Sequence, residues 1–224
     1  MVDIIYSIAV DGPAGSGKST ISKLAAKELG IEYIDTGAMY RALTLKILRN
    51  NLNPKLDLEV ISLLDNTDID FEKGHIFLDG EIVDEPIRQN IVSQNVSYVA
   101  AIKEVREKMV MLQQKMAKSK SIIMDGRDIT TVVLPNATFK IFLTASVEIR
   151  SLRRYKELLE KGDKDLTLDQ ISDDIKKRDY IDSNREIAPL TRTEDSILLD
   201  TSNRTIEESV EFIVSLVRRD KDVL

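Results

Sequence analysis

The feature that most constrains this chain is a glycine-rich stretch near its N-terminus, AVDGPAGSGKST, which overlaps the end of the apolar run IIYSIAV. The stretch has the spacing G-x-x-x-x-G-K-S, which begins at Gly12, and the helical pattern STISKLAAKELG follows it. Backbone N–H groups of such a loop can surround phosphate oxygens, Lys18 can reach the terminal phosphates, and the Ser19 hydroxyl can ligate Mg²⁺. The pattern predicts a strand, a phosphate-binding loop and a helix that together bind a nucleoside triphosphate.

Five short apolar runs predict strands: IIYSIAV, IEYID, SIIMDG, TFKIFLTA and SILLDTS. Longer segments with helical periodicity separate them, which predicts an α/β fold with a five-stranded parallel sheet flanked by helices. Ligands of such folds bind at the carboxyl ends of the strands. Aspartates stand at the ends of four of these strands, at Asp11, Asp35, Asp125 and Asp200.

One region departs from this alternation. DIDFEKGHIFLDGEIVDEPI alternates apolar and polar residues with turns at EKG and LDGE, which predicts a small antiparallel sheet. A mostly helical stretch with a break near Ile102–Lys103 follows it. We therefore predict an insertion at residues 68–106 in a core formed by 1–67 and 107–224. His75 lies in the insertion, and we expect it at the surface without a chemical role.

The composition excludes several classes of protein. The 224 residues carry a net charge of −6, which argues against general affinity for nucleic acid. There is no cysteine, so disulfides and thiolate metal sites are excluded. The apolar runs are far shorter than the ~20 residues of a membrane-spanning helix. Since the first predicted strand starts close to Met1, we expect no signal peptide and a cytoplasmic protein without membrane contact.

Two further stretches carry charged groups at predicted strand ends. IDTGAMYRAL places Thr36 at the start of a helix and Arg41 one turn into it. This pattern favours a binding site for a second anion; the alternative is a helix cap beside a surface arginine. IIMDGRDITTVVLP ends a strand with Asp125, Arg127 and Asp128. An aspartate in the position of Asp125 commonly holds Mg²⁺ through water. No glutamate follows it, so the water-activating carboxylate of a motor ATPase is missing.

The segment from about residue 150 to 186 predicts a helical hairpin. Arg150, Arg153 and Arg154 share one face of its first helix. A turn at EKGDKD precedes the second helix, which Thr167 and Gln170 start as a capping box. The second helix and the segment after it carry further charged residues: Arg178, Asp182, Arg185 and Arg192. These cations can form a lid over a transferring phosphoryl group, or they can belong to an exposed, salt-bridged hairpin.

A triphosphate site, a second anion site and an arginine-bearing lid are the parts of an enzyme that passes a phosphoryl group between two bound molecules. The lid matters because water would otherwise accept the phosphate. No covalent nucleophile is evident, so positioning and charge neutralisation would carry the catalysis.

Along essentially its whole length, the chain resembles the bacterial-type cytidylate kinases of the nucleoside monophosphate kinase superfamily of P-loop proteins. The resemblance rests on DGPAGSGKST, YIDTGAMYRAL, VREKMV, MDGRDITTVVLPNATFKIFLTAS, IKKRDYIDSNREIAPL and ILLDTS. It implies a phosphotransferase of pyrimidine nucleotide metabolism that moves the γ-phosphate of ATP to CMP or dCMP, with Mg²⁺. It also implies that the insertion enlarges the monophosphate-binding region, and that the enzyme is a monomer.

The resemblance also assigns residues to roles. ATP would be held by Gly12, Pro13, Ala14, Gly15, Ser16, Gly17, Lys18, Ser19 and Thr20. The acceptor's phosphate would be held by Arg41 and Arg127, its base by Thr36, Arg106, Asp128 and Arg185, and its pentose by Ser97, Arg178 and Asp182. Mg²⁺ would bind Ser19 directly and Asp125 through water. The residues expected to act in catalysis are Lys18, Arg41, Arg127, Arg150 and Arg154.

Two positions depart from the family pattern. Many members have glycine where this chain has Thr130, and a β-branched residue there excludes a positive φ and can shift the Asp128 loop. Some members have serine at the position of Thr36, so the hydroxyl is retained. Two alternative functions stay open at this point: a P-loop kinase for another small acceptor, such as another nucleoside monophosphate or shikimate, and a nucleotide-dependent switch or regulatory ATPase.

Overall fold

The structure is a computed structural model that describes residues 5–72, 74–118, 120–160, 162 and 166–221. In chain order, its strands are β1 (Ser7–Asp11), β2 (Glu32–Asp35), β3 (Ile69–Glu72), β4 (His75–Leu78), β5 (Glu81–Ile82), β6 (Ile122–Gly126), β7 (Phe139–Thr144) and β8 (Ile197–Asp200). Its helices are α1 (Lys18–Leu29), α2 (Thr36–Arg49), α3 (Asp57–Leu64), α4 (Asn90–Val99), α5 (Lys103–Met116), α6 (Val147–Glu160), α7 (Leu168–Asn184) and α8 (Ile206–Lys221).

The main sheet has the strand order β2-β6-β1-β7-β8, and every pair of neighbours is parallel. All five strands predicted from the apolar runs are therefore confirmed. The central strand β1 lies between β6 and β7, so the loop after it opens at the middle of the carboxyl edge. Asp11, Asp35 and Asp200 are the last residues of their strands, and Asp125 lies one residue before the end of β6.

Alternation of side chains along the strands divides the core into two apolar layers. Ile8 and Val10 of β1 pack against α1 and α8, whereas Ala9 packs into the layer that contains α2 and α5. In the same way, Ile123 faces α1 and α8 while its neighbours in β6 face the other layer. Because successive strand side chains point to opposite faces, a continuous apolar run fills both layers of a parallel sheet.

The insertion has the predicted antiparallel sheet, in the order β3-β4-β5. Its inward-facing side chains, from Ile69 to Leu78, belong to the same apolar layer as α2. The turn at LDGE is present, with positive φ at Asp79 and Gly80, whereas the turn at EKG includes Lys73, which lies outside the described residues. The helical stretch breaks between α4 and α5 as predicted. The division at Arg106 lies inside α5 and stays a prediction.

The helical hairpin is formed by α6 and α7, which pack through Leu158, Ile171 and Ile175. The capping box is present, because the Thr167 hydroxyl accepts from the Gln170 N–H and the Gln170 side chain accepts from the Thr167 N–H. The predicted turn EKGDKD lies largely outside the described residues. The hairpin stands over the carboxyl edge of the sheet and faces α4 of the insertion.

Candidate active site

A cleft of about 810 Å³ runs along the carboxyl edge of the main sheet. Its walls come from the glycine-rich loop, the first turn of α2, helix α4, the segment after β6 and both helices of the hairpin. One end lies beneath α6 and the loop after β8, and the other reaches the start of α5. The cleft is therefore long enough for two ligands placed end to end.

The glycine-rich loop at the centre of this cleft requires its glycines. Gly12 has φ 154°, and a Cβ there would lie 1.9 Å from the carbonyl oxygen of Leu143. Gly17 has φ 94° and caps the N-terminus of α1. Lys18 folds back over the loop, with Nζ donating to Pro13 O at 2.8 Å. Burial and the charge of Arg127 hold the pKa of Lys18 well below its usual value, so this site favours an anion beside the ammonium group.

Ser19 and Asp125 meet at the start of α1. Ser19 Oγ donates to Asp125 Oδ2 at 2.9 Å, and the hydroxyl of Tyr33 donates to Asp125 Oδ1 at 2.7 Å. Burial and the charge of Asp35 raise the pKa of Asp125 to about 6. Across the described ranges, no group of three or more His, Cys, Asp or Glu side chains could hold a metal ion by itself. Two hard oxygen donors nevertheless fit Mg²⁺ that arrives with a nucleotide, since such an ion keeps phosphate and water ligands.

Asp35 organises the cations on the α2 side of the cleft. Oδ1 accepts from the Ala38 N–H at 2.9 Å and lies 3.9 Å from Arg41 Nη1, while Oδ2 accepts from Arg88 Nη2 at 2.8 Å. Although burial opposes it, Arg41 and Arg88 lower the pKa of Asp35. Arg127 lies across the cleft, with Nε donating to Asp182 at 2.9 Å. This part of the cleft holds more cations than anions and suits a phosphate.

Two buried arginines hold Asp128 at the far end of the cleft. Arg106 Nη2 contacts Asp128 Oδ2, and Arg185 Nη2 lies 3.5 Å from Oδ1. Backbone carbonyls orient both guanidinium groups: Arg106 donates to Ala100 O at 3.1 Å, and Arg185 to Ala188 O at 2.7 Å. This geometry fixes the Asp128 carboxylate between two guanidinium groups, where it can serve as an acceptor.

The aromatic ring of Tyr40 and the hydroxyl of Thr36 lie near the same end. The ring centroid of Tyr40 is 5.8 Å from the Arg106 guanidinium carbon. Thr36 Oγ1 donates to Asp125 O at 2.7 Å, so it is anchored to β6 rather than free. A Cβ on Gly126 would lie 2.7 Å from Thr36 Oγ1. The position after Asp125 therefore requires a glycine.

Helices α4 and α7 meet through Ser97 and Asp182. Ser97 Oγ donates to Asp182 Oδ1 at 2.9 Å, while Asp182 Oδ2 accepts from Arg127. Arg178 lies one turn earlier on α7, and its buried Nε has no hydrogen-bond partner among the residues that the structure describes. Burial, together with the charges of Arg127 and Arg41, lowers the pKa of Arg178 to about 9. The group would gain from a bound anion or hydroxyl.

The three arginines predicted on one face of α6 have different surroundings. Arg150 is 4% exposed and donates to Ala14 O at 2.9 Å and to Asp179 at 2.5 Å. Arg153 donates to Ser16 O at 3.3 Å and to Thr201 O at 2.7 Å. Arg154 lines the cleft and pairs with Glu157 at 2.9 Å. The structure therefore brings all three to the glycine-rich loop or the cleft beside it.

The comparisons with known proteins agree with one another. A family model described as cytidylate kinase matches residues 8–219. A cytidylate kinase of Clostridioides difficile (strain 630) is 53% identical over 210 residues, which make up 94% of this chain and 97% of the relative. Another, from Caldanaerobacter subterraneus subsp. tengcongensis, is 50% identical over 220 residues, 98% of each chain.

This chain belongs to the cytidylate kinase family. The resemblance inferred from the motifs is thereby confirmed, and so is the α/β fold. A gluconokinase from Sinorhizobium meliloti 1021 has a TM-score of 0.53 at 13% identity, with 97% of this chain and 95% of that chain covered. At this identity, the likeness shows a shared fold alone. Where the structure describes the chain, it contains no helix long and apolar enough to cross a membrane.

Thr130, where many cytidylate kinases have glycine, is tied to the end of β1. The Thr130 N–H and hydroxyl donate to Asp11 Oδ2 at 2.8 and 2.6 Å, and the Ile129 N–H donates to Oδ1 at 2.9 Å. Thr130 is not among the residues with positive φ. The threonine therefore fits a helical turn at Ile129–Val133 and adds a side-chain hydrogen bond that glycine cannot form.

Three side chains of this cytidylate kinase site were missed by reasoning from sequence: Tyr33, Arg88 and Asp179. Each acts on a predicted site residue that is distant in sequence, and none stands in a spacing typical of phosphate sites. Arg88 follows Pro86 in a short helical turn, and the sequence offers no signal that this turn approaches Asp35. The roles assigned to the predicted residues themselves stay predictions.

Proposed function

We propose that the chain transfers the γ-phosphoryl group of ATP to CMP or dCMP, which yields ADP and CDP or dCDP. The observation that carries the proposal is a continuous cleft with the phosphate-binding loop at its centre and the buried Arg106–Asp128–Arg185 cluster at one end. Membership of the cytidylate kinase family supports the same assignment. The alternatives of another acceptor or a nucleotide switch have no comparable support.

On the donor side, the loop of residues 12–20 binds the ATP phosphates with backbone N–H donors from residues other than Pro13 and Ala14, and Lys18 holds the transferring phosphate. Lys18 Nζ now bonds the loop's own Pro13 O, so it must exchange this partner for a phosphate oxygen. Ser19 and Asp125 would hold Mg²⁺, directly and through water, and the ion would neutralise charge on the phosphates. No cysteine or histidine ligand is required.

On the acceptor side, Arg41 and Arg127 hold the phosphate of the monophosphate. Both guanidinium groups border the cleft, and each is paired with a buried carboxylate that fixes its position: Asp35 for Arg41 and Asp182 for Arg127. Guanidinium groups match phosphate oxygens bidentately and stay charged. The acceptor phosphate is thereby oriented toward the loop that carries the donor.

The cytosine base is recognised by Asp128 with Arg106, Arg185 and Thr36. A carboxylate accepts from the 4-amino group of cytosine, whereas uracil presents an oxygen there. A hydrogen bond to a charged group contributes about 1.5–3 kcal/mol, so its loss with uracil corresponds to roughly tenfold or more in favour of cytosine. The pentose lies beside Ser97, Arg178 and Asp182.

The hairpin arginines complete the site. Arg150 and Arg154 stabilise charge that develops on the transferred group, and closure of the hairpin over the cleft excludes water. Arg150 donates to Ala14 O at 2.9 Å, so its contribution includes fixing the loop. We also propose that the enzyme acts in the cytoplasm as a monomer and needs neither nucleic acid nor a membrane.

The test is an assay of ADP release with Mg·ATP and each of CMP, dCMP, UMP, AMP, GMP and dTMP as acceptor. We expect turnover with CMP and dCMP, and values of kcat/KM for UMP lower by at least about tenfold. Asp128→Asn should reduce kcat/KM for CMP while ATP affinity stays unchanged. Asp173→Asn, an exposed carboxylate on the same hairpin, is the matched control.

Two results would contradict the proposal. Turnover with a different monophosphate in preference to CMP would overturn the base assignment. No turnover with any of the six acceptors would overturn the function.

A further inference from the structure

Asp125 accepts hydrogen bonds on both of its carboxylate oxygens, from two different elements. Ser19 Oγ at the start of α1 donates to Oδ2 at 2.9 Å, and Tyr33 Oη from β2 donates to Oδ1 at 2.7 Å. Ser19 and Asp125 are the residues proposed above for Mg²⁺. The tyrosine opens the motif YIDTGAMYRAL but has no role in that proposal, although its bond is the shorter of the two.

The strand register explains why this tyrosine reaches the site. Tyr33 pairs with Ile123 across β2 and β6, and Asp125 lies two residues beyond Ile123 in the same strand. Side chains two residues apart lie on one face, so Tyr33 and Asp125 both face α1. The rise over two strand residues is ~6.6 Å, which an extended tyrosine side chain spans. The Tyr33 hydroxyl therefore contacts the Asp125 carboxylate from the amino-terminal side of the sheet, and the Ser19 hydroxyl contacts it from the start of α1.

The chemistry of the contact is that of a fixed donor. The Tyr33 hydroxyl lies 2.7 Å from Asp125 Oδ1, and an ordinary phenol carries its proton at neutral pH, so it donates to the carboxylate. A carboxylate that accepts one hydrogen bond can still rotate about its Cβ–Cγ bond. Donors on both oxygens fix the plane of the group, and they use one lone pair of each oxygen while leaving others for water.

We propose that Tyr33 is a positioning residue, which holds the Asp125 carboxylate in the orientation that receives a magnesium-bound water and so sets the affinity for Mg·ATP over free ATP. This inference rests on the proposed function, since it concerns the same metal site. Residues that orient a metal's ligands typically contribute 10–100-fold in metal affinity or activity. Tyr33 does not touch either nucleotide in this account, so it acts through Asp125 alone.

The test compares binding of a non-hydrolysable ATP analogue with MgCl₂ and with EDTA, measured by calorimetry, for the native chain and three variants. In Tyr33→Phe we expect the Mg²⁺-dependent gain in affinity to fall by about tenfold, while affinity in EDTA stays unchanged. The rate of CMP phosphorylation should also need more Mg²⁺ to reach half its maximum and should recover at high Mg²⁺.

Tyr6→Phe is the matched control. Tyr6 is a buried tyrosine that belongs to the same apolar layer as Ile123 but precedes β1 at the opposite edge of the sheet. It should keep the native response to Mg²⁺. Thermal unfolding of both variants shows whether the fold is retained. If Tyr33→Phe loses ATP affinity equally in EDTA and in MgCl₂, Tyr33 has a merely structural role and the proposal is overturned.

Asp125→Asn separates the failure of this inference from the failure of the metal assignment. If Asp125→Asn loses the response to Mg²⁺ and Tyr33→Phe keeps it, Tyr33 has no positioning role, and the metal site stands. If Asp125→Asn keeps the full response, both the metal assignment and the role of Tyr33 are wrong. Preferential turnover of CMP by the native chain is measured independently of either result.

Discussion

Lys18 is a buried cation that, among the described residues, donates its hydrogen bonds to neutral oxygens of its own loop. It is 5% exposed and donates to Pro13 O and, at 3.3 Å, to Ser16 Oγ. Burial of an ammonium group is costly, and burial together with the charge of Arg127 holds the pKa of Lys18 well below its usual value. A bound triphosphate would add negative charge beside the ammonium group and so favour its charged form.

We predict that Lys18→Ala abolishes turnover while leaving CMP binding nearly intact. The acceptor contacts other residues, so only stabilisation of the transferring phosphate is lost, on the order of 10²–10³-fold or more in kcat. ADP release gives the rate and calorimetry gives the Kd for CMP. Lys23→Ala, an exposed lysine of α1, is the control. A near-normal rate in Lys18→Ala would contradict the assignment.

Sequence reasoning found Lys18 and Ser19 because their chemistry is local, within one loop and one helix turn. It missed Arg88 and Tyr33 because their partners are remote: Asp35 is 53 positions from Arg88, and Asp125 is 92 positions from Tyr33. Such contacts depend on strand order and register, which a spacing pattern does not encode.

The hairpin of α6 and α7 was predicted from helical periodicity and from its capping box. Its attachment to the phosphate-binding loop was not. Asp179 of α7 accepts from the Ala14 N–H at 3.0 Å and from Arg150 of α6 at 2.5 Å, and Arg150 donates to Ala14 O. One carboxylate therefore connects both helices with the loop. The sequence showed arginines on one face of α6 but not which carboxylate they would meet.

We predict that Asp179→Asn weakens ATP use more than CMP use. The substitution removes the charge that holds Arg150 and weakens the link from α7 to the loop. Because hydrogen bonds to charged groups contribute about 1.5–3 kcal/mol, KM for ATP should rise roughly tenfold or more. Steady-state rates at saturating CMP give this value. Asp173→Asn on the same helix is the control. An unchanged KM for ATP would show that the link does not position the loop.

The architecture as a whole followed from the alternation of apolar runs and helical segments, because a buried parallel sheet and its crossovers leave few other arrangements. The order β2-β6-β1-β7-β8 then places the glycine-rich loop, Asp35 and Asp125 at one edge. What the alternation could not predict is the meeting of α4 with α7, where Ser97 bonds Asp182 across 85 positions. That contact joins the insertion to the hairpin and closes the cleft around the proposed acceptor.

The most direct test of the central claim is a competition in which γ-labelled Mg·ATP is supplied with equal concentrations of CMP and UMP. The products are separated, and the label is measured in CDP, UDP and inorganic phosphate. We predict that CDP carries at least about tenfold more label than UDP, with little inorganic phosphate, because Asp128 pairs with the 4-amino group and the hairpin excludes water. Equal labelling of CDP and UDP, or label found mainly in inorganic phosphate, would contradict the account.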